Sequence, residues 1–191
     1  MKLFMIRHGQ TTANLHKVYA GQSDVQLTEL GRQQAINIRP ILKDISFDKV
    51  FSSDLVRAID TQTLSLPDMI AETTPLLREY NVGSLEGMHF SECRARYGEI
   101  YRQTTDYSSF GGESTSMVCS RLKTFITSLE DKPWDNVAVF AHNGIMKCMM
   151  RLVLNTDFDG SAVNSNNCSI HVFSYENKQW KLLAWNYMGE I

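Results

Sequence analysis

The sequence lacks the features that mark membrane proteins, disulfide-framed proteins and nucleic-acid-binding proteins. No segment approaches the roughly 20 apolar residues that span a bilayer, and the apolar run after Met1 meets Arg7 too early to be a signal peptide. Four cysteines are scattered without a Cys-x-x-Cys pair, which predicts reduced thiols in a cytoplasmic protein. A formal net charge of −2 provides no basic field for nucleic acid or an anionic membrane, so we expect neither partner.

Motifs of several phosphate-binding and metal-binding sites are missing as well. No cysteine is followed six positions later by arginine, no Gly-x-x-x-x-Gly-Lys-Ser/Thr occurs, and no two histidines have zinc-ligand spacing. The segment Asp157–Ser161 resembles the nucleophile motif of magnesium-dependent aspartate phosphatases. That motif belongs on an early strand, whereas this segment lies near the end of the sequence. We interpret it as an acidic turn.

The length and the order of apolar segments predict the fold class. A chain of 191 residues, 43% hydrophobic and 21% charged, is ordinary for one globular domain with a substantial core. Alternating strands and helices predict a three-layer α/β/α sandwich with a mostly parallel central sheet. Strands are expected at Leu3–Ile6, Lys49–Ser52, Met69–Ala71, Asn136–Ala141, Ile170–Tyr175 and Lys181–Tyr187. Helices are expected after a Thr28 cap with a break at Pro40, after a Ser53 or Asp54 cap, and at Ser91–Tyr97, Val118–Leu129 and Ile145–Leu154.

The first strand delivers charged and polar side chains at its end. Leu3–Ile6 is apolar and stops abruptly at Arg7, His8 and Gly9. In a sheet flanked by helices, groups just past the C-terminal end of a strand lie where ligands bind. A fixed cation, a titratable histidine and the nearby Asn14 together suit a phosphate group.

Two later segments repeat this arrangement. The buried strand Asn136–Ala141 ends in His142, and a helix follows whose first backbone amides can attract an anion. After the second strand, Arg57 falls in the first turn of a helix at the same edge of the sheet. These positions predict His142 and Arg57 as further phosphate ligands.

These stretches resemble the histidine phosphatase superfamily, also called the phosphoglycerate mutase-like family. The motifs that carry the resemblance are Arg7-His8-Gly9-Gln10-Thr11, the block Gly21–Gly31, the segment Leu77–Gly87, the turn Gly111–Ser114 and His142-Asn143-Gly144. Many members have glycine directly after the second histidine, whereas this chain has Asn143 first. The departure leaves open how the backbone after His142 contacts a phosphate.

The resemblance implies a reaction and a role for each matching residue. The Nε2 atom of His8 attacks phosphorus to form a phosphohistidine, and Glu79 protonates the leaving oxygen and then activates water. No metal or other cofactor is expected, because arginines and His142 carry the compensating charge. Residues implied in phosphate binding are Arg7, Asn14, Gln22, Arg57, His142 and Asn143.

Three readings of the function stay open. Hydrolysis of a small phosphorylated metabolite is favoured over a phosphomutase, because the chain is short and Tyr80 stands where mutases have an arginine after the acid glutamate. The short chain and its first two motifs resemble α-ribazole phosphatases or broad small-molecule phosphatases, and this analogy at the family level does not identify the substrate. A catalytically silent phospho-ligand-binding module is the third reading.

Residues 88–113 are expected to form a lid-like insertion in one domain of residues 1–191, and the sequence does not predict an oligomeric state.

Overall fold

A sheet of six strands forms the centre of the structure. The structure is a computed structural model and describes residues 1–98, 106–158 and 163–189. The strands are β1 (Lys2–Arg7), β2 (Lys49–Ser53), β3 (Glu72–Thr74), β4 (Asn136–Ala141), β5 (Ile170–Glu176) and β6 (Gln179–Tyr187). Their order in the sheet is β3-β2-β4-β1-β5-β6. The first four strands run parallel and β5 is antiparallel to both of its neighbours, which confirms the mostly parallel sheet.

Helices cover both faces of this sheet. Those in the described residues are α1 (Thr12–His16), α2 (Glu29–Asn37), α3 (Arg39–Leu42), α4 (Val56–Ser65), α5 (Phe90–Tyr97), α6 (Thr115–Thr127) and α7 (Asn143–Leu154). Successive side chains of a strand point to opposite faces. Leu3 and Met5 therefore pack with α6 and α7, whereas Ile6 packs with α2 and α3. The predicted three layers are confirmed.

The predicted division of the first long helix is also confirmed. The Thr28 side chain accepts a hydrogen bond from the Gly31 amide and caps α2. The chain then breaks at Ile38, and Pro40 lies in the first turn of α3, where its missing N–H group is tolerated. The hairpin between β5 and β6 turns through Asn177 and Lys178, both with positive φ.

Two local predictions are wrong for tertiary reasons. The third strand is expected at Met69–Ala71 but lies at Glu72–Thr74, because Glu72–Thr74 pairs with the end of β2. Helix α4 has no side-chain cap from Ser53 or Asp54. Its Val56 amide donates instead to Asp24 Oδ1, 3.2 Å away and distant in sequence, while Asp54 pairs with Arg78.

The predicted lid is described only in part. Helix α5 ends at Tyr97 and is followed by Gly98, whose φ of +67° suits a residue without a side chain, and a 3₁₀ turn covers Ser108–Phe110. Residues 99–105 lie outside the described residues, as do residues 159–162, which include the last three residues of the interpreted acidic turn. One domain with a lid thus stays a prediction. No helix in the described ranges is both long and apolar enough to cross a bilayer.

Candidate active site

The ends of three neighbouring strands bring the predicted residues together. Strands β1 and β4 are adjacent, with Arg7 opposite Ala141, and the His8 amide donates to the Ala141 carbonyl at 3.1 Å. His142 follows Ala141 directly, so the two histidine rings lie with their centroids 5.2 Å apart. Strand β2 is the next strand along, and α4 behind it supplies Arg57.

A cavity of about 270 Å³ opens over these strand ends. Of the predicted site residues, those lining it are Arg7, His8, Asn14, Arg57, Glu79 and Asn143. His142 is fully buried beside His8. A larger cavity of about 460 Å³ lies near the C-terminal ends of α6 and α7, and no predicted site residue is among the described residues that line it. The predicted site residues therefore gather at the smaller cavity.

A close approach of two backbone segments fixes the turn after His8. A Cβ atom on Gly9 would lie 2.4 Å from the Gly31 carbonyl oxygen, so only glycine fits without a shift. The Gly9 amide donates to Thr61 Oγ1 of α4 at 3.0 Å. The carbonyl of Gly9 is thereby held where the ring of His8 can reach it.

The environment of His8 makes it a neutral imidazole with a defined tautomer. Its Nδ1 atom lies 2.7 Å from the Gly9 carbonyl oxygen, which can only accept, so Nδ1 carries the proton. Burial lowers the pKa of His8 well below its usual value, and the charges of Arg57 and Arg7 lower it further. The Nε2 atom is then left with a lone pair.

His142 holds the opposite tautomer because of Arg57. The guanidinium Nε donates to His142 Nδ1 at 3.2 Å, so a neutral ring carries its proton on Nε2. Burial, followed by the charge of Arg57, lowers the pKa of His142 well below its usual value. The Nε2 atom is buried and has no hydrogen-bond partner among the described residues. It is a donor available to an oxyanion.

Backbone carbonyls orient the Arg57 guanidinium. Its Nη1 atom donates to the Ser23 carbonyl at 2.8 Å, and Nη2 donates to the Gly21 carbonyl at 2.7 Å. Together with the bond to His142, these contacts hold a side chain that is only 2% exposed. A guanidinium has five N–H groups, so two remain for a ligand.

Arg7 and Asn14 are similarly held by one end. Arg7 donates from Nη1 to the Ser165 carbonyl, and its buried Nε has no partner in the described part of the chain. The Oδ1 atom of Asn14 accepts from the Thr11 amide at 3.1 Å and from Asn167 at 3.3 Å. Its Nδ2 is therefore the atom that can donate to a phosphate.

The carboxylate of Glu79 lies against the start of α7. Its Oε1 accepts from the Tyr80 amide at 2.9 Å, and its Oε2 accepts from the Gly144 amide at 3.0 Å. A Cβ atom on Gly144 would lie 2.2 Å from Glu79 Oε1. The order Asn143-Gly144 thus leaves room for the acid, while Asn143 lines the cavity with a buried Oδ1 that has no partner among the described residues.

Comparison with known proteins identifies the family. Residues 3–188 match the histidine phosphatase superfamily (branch 1). The chain belongs to this superfamily. It is 31% identical over 157 residues to the adenosylcobalamin/α-ribazole phosphatase of Escherichia coli K12, covering 78% of this chain and 77% of that protein. It is 32% identical over 160 residues to a 2,3-bisphosphoglycerate-dependent phosphoglycerate mutase of Cytophaga hutchinsonii, covering 78% and 75%.

A solved structure shows the same fold. The mycobacterial glucosyl-3-phosphoglycerate phosphatase in complex with VO3 superposes with a TM-score of 0.89 at 28% identity. The match covers 97% of this chain and 98% of that one. The predicted histidine phosphatase family and phosphoglycerate mutase-like fold are therefore confirmed.

Gln22 lies outside the residues that line the cavity of this histidine phosphatase. Its Nε2 donates to the Glu79 carbonyl at 3.0 Å and to Glu113 at 3.3 Å. It could bind phosphate only if this amide turned away from both acceptors.

Sequence reasoning missed Lys147, which lines the cavity. Lys147 follows Asn143 by four residues in α7, so helical spacing was a signal that could have found it. Among the described residues of the chain, no group of three or more His, Cys, Asp or Glu side chains is placed to hold a metal ion.

Three buried histidines predict that the free energy of unfolding decreases in mild acid. Burial lowers the pKa of His171 to about 3, and those of His8 and His142 are also lowered. As the pH falls through about 6.5, the unfolded chain binds protons on these histidines and the folded protein does not. The free energy of unfolding is therefore highest above that pH and decreases as the pH falls. Between about pH 7.5 and pH 5.5 His171 alone contributes roughly 1.4 kcal/mol to this loss, and His8 and His142 add to it in the same direction.

Urea unfolding at several pH values measures this effect. The variant His16→Asn, which removes an exposed histidine side chain, is a matched control for the loss of a histidine as such. A free energy of unfolding that stayed constant over this range would mean that the folded protein takes up as many protons as the unfolded chain, and would contradict the lowered pKa values of these histidines.

Proposed function

We propose that this protein hydrolyses a small-molecule phosphate monoester through a phosphohistidine formed on His8. The observation that carries the proposal is the 2.7 Å contact between His8 Nδ1 and the Gly9 carbonyl. It leaves the Nε2 lone pair of a neutral ring among groups suited to a phosphoryl oxyanion, including Arg7, Arg57 and His142. The membership in the histidine phosphatase superfamily and the phosphatases among its relatives support the same reaction.

In the first step, the lone pair of His8 Nε2 forms a bond to phosphorus as the bond between phosphorus and the ester oxygen breaks. The proton of a protonated Glu79 passes to the departing oxygen, which leaves as an alcohol. Arg7, Arg57 and the Nε2–H group of His142 stabilise the charge on the three other oxygens. The Nδ1–H bond to the Gly9 carbonyl stabilises the positive charge that the phosphorylated ring acquires.

In the second step, water replaces the histidine. The Glu79 carboxylate takes one proton from a water molecule while the water oxygen bonds to phosphorus. The bond between phosphorus and His8 Nε2 breaks, its electron pair returns to the ring, and orthophosphate leaves. Glu79 is then protonated and ready for the next ester, so the cycle consumes only ester and water.

The wall beyond the phosphate-binding groups supports a metabolite with a ring or an apolar portion. Tyr19 lies edge-on to Phe90 with ring centroids 4.9 Å apart, and Tyr107 lies 5.5 Å from the ring of Tyr80. Tyr19, Phe90 and Tyr107 line the cavity together with Lys147. An alcohol with an apolar face and an anionic group near Lys147 would meet both kinds of contact.

Replacement of Glu79 by glutamine is expected to slow esters with poor leaving groups most. Glutamine keeps the shape of the side chain but cannot donate a proton to the alkoxide, a contribution of about 10²-fold or more to the rate. An alkyl phosphate should therefore lose about 10²-fold in kcat/KM, whereas nitrophenyl phosphate should lose much less. Equal losses for both esters would exclude Glu79 as the acid.

One assay separates hydrolysis from the alternatives. The protein is incubated with a panel of phosphorylated metabolites, and orthophosphate release is compared with conversion of 3-phosphoglycerate to 2-phosphoglycerate. Similarity to the Cytophaga mutase favours testing the second reaction. The Tyr80 side chain, which is 4% exposed with its hydroxyl 3.1 Å from Cys148 Sγ, supplies no cation for a second anchoring group. Isomerisation without orthophosphate release would overturn the proposal, and a silent binder would show neither reaction.

A cytoplasmic location is part of the same proposal. All four cysteines are free thiols, which supports a reducing compartment.

A further inference from the structure

An ion pair that does not line the cavity contacts the segment carrying Glu79. Arg121 in α6 donates from Nε to Glu113 Oε1 at 2.9 Å and from Nη2 to Oε2 at 3.1 Å. The two side chains are only 15% and 16% exposed. Because two N–H groups meet one carboxylate as a fork, the guanidinium has a fixed orientation.

The remaining donors of Arg121 bind backbone on the segment that carries the acid. Nη1 donates to the Leu76 carbonyl at 2.8 Å, and Nη2 donates to the Glu79 carbonyl at 3.0 Å. Gln22 Nε2 donates to the same Glu79 carbonyl at 3.0 Å. The carbonyl of the proposed acid is thus held by two side chains from distant parts of the sequence.

Glu113 holds the other end of this segment. Its Oε2 accepts from the Asn81 amide at 2.8 Å, and its own amide donates to the Asn81 carbonyl at 2.8 Å. The backbone is therefore held before, at and after Glu79. A carboxyl that must meet an ester oxygen depends on such support, because a displacement of about 1 Å can cost about 10²-fold in rate.

We propose that Arg121 and Glu113 are positioning residues that hold Glu79 in place for proton transfer. The inference rests on the acid role of Glu79 in the proposed function. Neither residue contacts the phosphoryl group in this assignment; both act through the backbone of the acid.

The test uses the ratio of kcat/KM for an alkyl phosphate to kcat/KM for nitrophenyl phosphate, called here the leaving-group ratio. This ratio falls when proton donation fails, and it cancels losses common to both esters. The variant Arg121→Met should lower the ratio by about tenfold, since it misplaces the acid without removing it. A purely stabilising ion pair would lower the melting temperature and both rates together, with the ratio unchanged.

Double substitution gives the sharper measurement. If Arg121 acts only through Glu79, then Arg121→Met combined with Glu79→Gln should have the leaving-group ratio of Glu79→Gln alone, within about twofold. Independent multiplication of the two losses would overturn the inference.

A second variant covers the case in which Arg121→Met does not fold. Glu113→Gln keeps the side-chain volume and removes the charge, so it should lower the ratio in the same direction. Arg121→Lys should fail to restore the ratio, because one ammonium cannot reach Leu76, Glu79 and Glu113 together. A normal ratio in Glu113→Gln would refute the positioning role.

The matched control is Arg78→Met. Arg78 precedes Glu79 and also forms a two-point ion pair, with Asp54 at 2.8 and 2.7 Å. Because these two bonds go to the Asp54 side chain, whereas Arg121 binds the Glu79 carbonyl, the loss of Arg78 should leave the leaving-group ratio unchanged.

The two possible failures are distinct. If Glu79→Gln itself leaves the ratio unchanged, the proposed acid role has failed; if only the Arg121 and Glu113 variants do so, the positioning inference alone has failed.

Discussion

Replacement of His8 by alanine is expected to abolish both turnover and the covalent phosphoenzyme. In the proposed reaction Nε2 of His8 is the atom that bonds to phosphorus, and its removal leaves a direct attack by water as the remaining route. Rapid quenching with an ester labelled in its phosphoryl group measures the bound label, and orthophosphate release measures turnover. Both should fall to background.

His142→Ala is the matched comparison for this result. It removes the neighbouring ring, 5.2 Å away, but keeps the nucleophile, so labelled enzyme should still form, about 10²- to 10³-fold more slowly for the loss of one oxyanion donor. Circular dichroism checks that each variant is folded. Label that persists in His8→Ala and disappears in His142→Ala would reverse the two assignments.

Arg57→Ala is expected to have the second largest effect, a loss of about 10³-fold or more in kcat/KM. The substitution removes the positive guanidinium proposed to bind the phosphoryl oxygens, and it also removes the donor that keeps the His142 proton on Nε2. One substitution thus disables two ligands. Steady-state kinetics with nitrophenyl phosphate measures the effect.

Two further variants separate charge from geometry at this position. Arg57→Lys keeps a positive charge but cannot bind His142, Gly21 and Ser23 at once, so it should remain strongly impaired. Arg32→Ala removes an arginine whose side chain is 45% exposed in a loose pair with Asp60, and it should leave the rate unchanged. A wild-type rate in Arg57→Ala would remove that residue from the site.

The central part of the site follows from features that a sequence displays. Apolar runs before His8 and His142 mark two buried strands, and the carboxyl ends of parallel strands share one edge of a sheet. The pairing of Arg7 with Ala141 is the consequence. Arg57 is placed by the same logic, because β2 is the other neighbour of β4.

Other parts depend on contacts that no local pattern carries. Glu79 lies on an irregular segment after the 3₁₀ turn Pro75–Leu77, so only the resemblance to a family pointed to it. The cap of α4 comes from Asp24 across the fold, where a local cap was predicted. The contact between Arg121 and the Glu79 carbonyl joins residues far apart in sequence, and a helical pattern shows only that Arg121 lies beside the buried Leu122.

The gathering of cationic and neutral donors at three strand ends has a thermodynamic cost for the folded chain. Burial lowers the pKa of both Arg7 and Arg57, the charge of Glu79 offsets part of this, and the charge of Arg57 lowers the pKa of Arg7 further. A tetrahedral anion relieves both penalties and binds only the folded chain, so it stabilises that state by mass action. We therefore expect orthophosphate, the proposed product, to stabilise the folded chain as well, and the melting temperature measured in phosphate buffer should exceed that in a buffer without coordinating anions.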